Sequence, residues 1–182
     1  MIKINKKNKG FTLVEILLVV GFIALASVGV YTIYSKVQLS SGATTESRNL
    51  DTIRAGIKQL YGANHNYGTL SNTVVNAGRI TPDNMKTAPN STDSVITNSF
   101  GGVVTIAPAN LGGGTNNGFS ITYNGVPAGV CTKLVSTGGS QFDQVTVAGT
   151  VVKTYGTGVI REDVLTVTCN ATADSVIRFD SI

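Results

Sequence analysis

Apolar residues fall into two regimes along the chain. Residues 11–14 are mostly apolar, Glu15 interrupts, and residues 16–35 then run for 20 positions without a charge. Such a run is about the length a helix needs to cross a bilayer. Beyond Lys36 the apolar positions thin to a stripe. Leu39, Ala43, Leu50, Ile53, Ile57 and Leu60 recur at steps of three, four or seven, which is one face of a helix. Glu46, Arg48, Asp51, Arg54 and Lys58 are expected on its other faces, and no proline appears before Pro82. The pattern predicts one helix over residues 11–61, about 75 Å long at 1.5 Å per residue. Residues 11–35 are apolar all round and suit lipid or other helices. Residues 36–62 are amphipathic and need one stripe covered. Gly21, Gly29 and Gly42 weaken this helix by about 1 kcal/mol each relative to alanine.

Gly62 and the polar run 64–66 end the helix. Residues 68–98 are polar, contain Pro82 and Pro89, and read as a connecting loop with one short helix near 82–86. The period then changes to two. Strands are expected at 103–107, 119–123, 164–169 and 176–179, with a hairpin formed by 145–147 and 151–155. Residues 125–138 read as a turn and a short helix carrying Cys131. The expected fold class is α+β: a long N-terminal helix whose amphipathic half packs on a mainly antiparallel sheet, with residues 63–182 as a globular head. No internal repeat is seen.

Composition narrows the function classes. The chain has 182 residues, enough for one domain with a real core. With 42% hydrophobic and 13% charged residues it is not a disordered chain. The net charge of +4 is local. Lys3, Lys6, Lys7 and Lys9 lie in the first ten residues with no acid, and the remainder carries ten basic and ten acidic side chains. The basic character therefore belongs to a terminal targeting segment, whose lysines place that side of the apolar run in the cytoplasm. No basic face interleaved with aromatics remains, so no dedicated nucleic-acid site is expected. Cys131 and Cys169 both lie in the part that would be exported. One disulfide is the expected arrangement there, two separate buried thiols the alternative. A bridge closing this loop would stabilise the fold by roughly 4 kcal/mol in the chain-entropy model.

Cleavage of the targeting segment has two candidate positions. Ala24-Leu25-Ala26 has the small-residue form of an ordinary signal-peptide site, and a cut after Ala26 would release a secreted binding module or enzyme. Glu15 argues against it. A carboxylate deep in a membrane costs on the order of 2.5–3.5 kcal/mol, and a simple export signal gains nothing from it. That cut would also truncate the helical stripe. The run Gly10-Phe11-Thr12-Leu13-Val14-Glu15 before a long apolar helix instead resembles the cleavage motif of type IV pilins. The resemblance implies that residues 1–10 are a leader, and that a membrane prepilin peptidase cuts after Gly10 and N-methylates Phe11. It matches Glu15 to the family's invariant acid, which can neutralise the Phe11 ammonium of a neighbouring subunit and set the axial register of packing. A Glu15 that merely snorkels to the headgroups of a plain anchor is the bland alternative.

Within the family the head resembles type IVb pilins. The helix lacks the proline that many type IVa pilins carry where Thr32 stands, and the run from Phe119 to Val135 resembles the type IVb strand–turn–helix bearing the first disulfide cysteine. Cys131 and Cys169 would then enclose the exposed region 131–169. The short leader and Phe11 depart from type IVb and follow type IVa. The resemblance implies a structural subunit of a helical homo-oligomeric filament. Its partners would be identical subunits, the inner membrane, the peptidase, an assembly platform and an assembly ATPase. Its location would be the inner membrane as precursor and then an extracellular pilus of a Gram-negative bacterium. A minor pilin or secretion pseudopilin is the alternative within the same class.

No catalytic chemistry is expected. His65 is the only histidine and sits in a polar loop, so no catalytic triad can be assembled. Gly101-Gly102 and Gly112-Gly113-Gly114 do not fit a phosphate-binding spacing. A Ca²⁺ site would want clustered oxygen ligands, for which Asp174 and Asp180 are a thin offer, so no metal and no cofactor are expected.

Overall fold

Four buried apolar residues of one helix, Ala43, Leu50, Ile53 and Ile57, share a single core with the inner faces of a five-stranded sheet. The computed structural model describes residues 10–182, apart from the side chains of Thr32, Ser35 and Lys36. Residues 1–9 of the expected leader lie outside the described residues. The chain divides into a unit ending at Gln38 and a unit spanning Leu39–Ile182. Helix α1 is assigned over Leu13–Tyr61.

In the second unit, α1 is followed by α2 (Asn72–Ala77) and a 3-10 turn at Asp83–Met85. Strands β1 (Val104–Ala109) and β2 (Gly118–Pro127) lead into α3 (Ala128–Gly138). The hairpin β3 (Gln144–Val147) and β4 (Thr150–Lys153), then α4 (Glu162–Cys169) and β5 (Asp174–Ser181), complete the chain. The sheet order is β1-β2-β5-β3-β4, and every pairing is antiparallel. The last strand is thus inserted at the centre, joining the β1–β2 hairpin to the β3–β4 hairpin. Pro108 sits in edge strand β1, where a missing N–H is tolerated. Two aromatic chains stitch the sheet to its neighbours: Tyr61–Tyr67–Phe119, and Tyr123–Phe179–Phe142, with ring centroids 5.3–6.0 Å apart. Gly138 lets α3 approach α1 closely, since a Cβ there would stand 3.0 Å from Leu50 Cδ2.

Three expectations are corrected. Residues 164–169 form helix α4, not a strand. The β-branched run has strand propensity, but Glu162 and Asp163 occupy a helical first turn and burial follows a step of four, at Leu165 and Cys169, while Val167 is exposed. The loop after α1 contains helix α2, capped by the Ser71 hydroxyl, which accepts from the Val74 N–H. Finally, Leu60 is exposed, whereas Glu46, expected on an outer face, is fully buried.

Candidate assembly surface

Gly10, Phe11 and Thr12 precede the first helical turn, so the Gly10–Phe11 bond lies in exposed, non-helical chain. Thr12 starts the helix. Its backbone carbonyl accepts from the N–H groups of Glu15 and Ile16, and its hydroxyl accepts from the Glu15 N–H at 3.3 Å. Thr12-Leu13-Val14-Glu15 is thus the T-x-x-E spacing of a capping box, a signal that could have fixed the helix start from sequence. Glu15 also suits the first turn because its charge opposes the positive end of the helix dipole. Its carboxyl makes no hydrogen bond or ion pair with another side chain among the described residues.

From Leu13 to Tyr31 the helix forms a 19-residue span with mean hydropathy 2.6, long and apolar enough to cross a membrane, and none of it is buried within the chain. Phe11, Leu13, Leu18, Phe22, Leu25 and Tyr31 are each more than two-thirds exposed. An apolar surface of this extent on one chain marks a contact with lipid or protein.

The second unit carries the residues that hold the head together. Cys131 on α3 and Cys169 at the end of α4 are joined by a disulfide, with Cα atoms 5.6 Å apart and both residues fully buried. The bridge encloses β3, β4 and α4. Glu46, missed by the sequence reading, is tied to a distant loop. Its carboxyl accepts from the Ser99 N–H at 2.7 Å, from the Ser99 hydroxyl and from Asn49 Nδ2 at 3.4 Å. The buried Tyr123 hydroxyl stands beside it without a hydrogen bond of good geometry. Burial first, then the negative charge of Glu46, hold the Tyr123 phenol well above its ordinary pKa.

The remaining candidates do not converge. His65 is exposed in the loop after α1 with φ 46°. Asp174 and Asp180 lie at opposite ends of β5, and Asp180 pairs with Arg178 at 2.7 Å. Among the described residues no three His, Cys, Asp or Glu side chains are grouped to hold a metal.

A family model described as PilS N terminal matches residues 40–181. The chain is 28% identical over 163 residues to the major structural subunit of bundle-forming pilus of Escherichia coli O111:H-, covering 89% of this chain and 77% of that protein. It is 26% identical over 149 residues to the toxin coregulated pilin of Vibrio cholerae serotype O1, covering 77% and 62%. Among solved structures it is similar to the type IV b pilin from Salmonella typhi, with TM-score 0.54 and 26% identity over 75% of this chain and 97% of that one. The type IV pilin from Vibrio cholerae El Tor biotype shares the fold, with TM-score 0.59 and 20% identity over 79% and 100%.

Proposed function

The chain belongs to the PilS N-terminal family and is a type IVb pilin, and from that membership we propose that it is the major subunit of a pilus assembled through its N-terminal helix. The observation that carries this reading is the wholly exposed apolar span Leu13–Tyr31, entered through the capped turn at Thr12 and bearing Glu15 as its one charge. A prepilin peptidase on the cytoplasmic face cuts after Gly10 and methylates the new amine at Phe11. The span holds the precursor in the inner membrane and then leaves lipid for neighbouring helices, so little apolar surface meets water during the exchange. An assembly platform and its ATPase drive that transfer, and the head forms the outside of an extracellular filament. One matched relative is the major structural subunit of bundle-forming pilus, which favours this over a minor pilin or pseudopilin.

Glu15 supplies the register. Deep among apolar helices neither its carboxylate nor the Phe11 ammonium is tolerable alone, and each becomes so when paired. Because the pair joins two subunits, it favours one axial offset over others. The test is Glu15→Ala in a piliated host lacking its own pilin. Normal cleavage and loss of surface filaments are expected; normal filament yield from the variant would overturn the pairing.

A further inference from the structure

The sheet of the head ends in two edge strands, β1 and β4. An open edge presents a row of unpaired N–H and C=O groups, a template on which a strand of another chain can add. Along an antiparallel strand the backbone groups of successive residues point to opposite sides, so alternate residues of β1 face outward. The Asn124 N–H donates to the Val103 carbonyl, which turns Val103, Thr105 and Ala107 toward β2 and leaves Val104, Ile106 and Pro108 facing outward. None of these three has an N–H left to donate. That of Val104 goes to the Ile96 carbonyl at 2.8 Å, that of Ile106 goes to Asn72 Oδ1 at 2.7 Å, and Pro108 has none. Asn72 Nδ2 in turn donates to the Val104 carbonyl at 2.9 Å.

Asn72 therefore meets β1 as the peptide group of a neighbouring strand would, offering one donor and one acceptor from a single planar amide. Helix α2, of which it is the first residue, holds it there. The edge has no other guard of its own: β1 carries no charged side chain to repel a second strand, and the exposed Val103 stands at its start. At β4 the chain covers the edge with its own backbone. The Arg161 N–H donates to the Val152 carbonyl at 2.8 Å, and Arg161 Nη2 donates to the Val151 carbonyl at 2.7 Å.

We propose that the Asn72 amide and Pro108 keep β1 closed to a second copy of this chain. Without them β1 pairs antiparallel with β1 of another head, a self-complementary contact about a two-fold axis. Such a contact closes on itself and cannot be repeated along a filament, so it competes with alignment through the N-terminal helices. That consequence rests on the proposed assembly. The guarded edge is a property of the single head and is tested without filaments.

The test uses the full chain in detergent, followed by sedimentation velocity over a concentration series and by amide hydrogen exchange. The parent is expected to stay a single chain. Asn72→Ala frees the Ile106 N–H and the Val104 carbonyl, and is expected to associate as its concentration rises. When dilute, its Ile106 N–H should exchange roughly five- to ten-fold faster than in the parent, and should regain protection as association proceeds. Pro108→Ala leaves the Asn72 bonds in place, restores one outward N–H and should associate more weakly. Ile57→Val, which trims the core without touching the edge, should remain single and controls for lost stability. Single chains for both edge variants, association of Ile57→Val to the extent of Asn72→Ala, or association that leaves the Ile106 N–H unprotected would each overturn the proposal.

Discussion

Glu46 stands where an aliphatic residue would ordinarily complete the inner stripe of α1. Ala43, Glu46, Leu50, Ile53 and Ile57 alternate steps of three and four, and all are fully buried. The step of seven from Ala43 to Leu50 is the sequence trace of this residue, because a helix face cannot skip a full seven positions. In the seam the acid fastens the Ser99 loop to the helix. Glu46→Ala would leave the Ser99 N–H and Asn49 Nδ2 without their acceptor, and should lower stability by about 2–4 kcal/mol. Urea unfolding of the full chain in detergent checks this, with Glu46→Gln, which keeps an acceptor, losing less. Tyr123 adds a pH dependence. Below pH 10 both folded and unfolded chains keep the phenol proton, so the residue is silent. At higher pH the unfolded chain loses the proton and the folded chain holds it, so stability falls, by at most about 1.4 kcal/mol per pH unit. Lys153, whose pKa is lowered mainly by burial, acts in the opposite sense, so its contribution recovers as pH rises toward 10.5. Tyr123→Phe isolates the phenol: its advantage over the parent in urea midpoint should be constant below about pH 9 and grow above pH 10.

At the scale of elements, legibility followed the clarity of the period. The amphipathic stripe of α1, the alternation in β2 and the hairpin around Ala148-Gly149 could be read directly, because each buries one face against one partner. Helix α4 could not. Leu165, Val167 and Cys169 alternate plausibly as a strand, whereas the acidic first turn at Glu162-Asp163, the bridge from Cys169 to α3 and the burial of Leu165 favour the helix. Helix α2 was hidden because it is six residues long, and its Ser71 cap is a weak signal among many serines, threonines and asparagines. The hairpin offers a direct test. Its two-residue turn places Ala148 at φ 45° and Gly149 at φ 81°. Both central positions of such a turn need positive φ, which suits asparagine followed by glycine better than alanine. Ala148 is exposed, and its N–H donates to the Val176 carbonyl, a bond that asparagine keeps. Ala148→Asn should therefore stabilise the head by about 0.5–1 kcal/mol, read as a raised urea midpoint with an unchanged slope.

For the whole molecule the governing fact is an apolar span with no cover of its own. A single chain cannot keep Leu13–Tyr31 in water, and under the proposed function the span passes from lipid to neighbouring copies. In the proposed passage Glu15 and the amine made at Phe11 would be the charges that decide how the copies align, and the basic leader would be dispensable once the precursor is oriented. The most direct measurement is the intact mass of the subunit sheared from filaments. The proposal predicts a chain that begins at Phe11 and carries one added methyl group. A chain beginning at Ser27, after the small-residue site at Ala26, would contradict it.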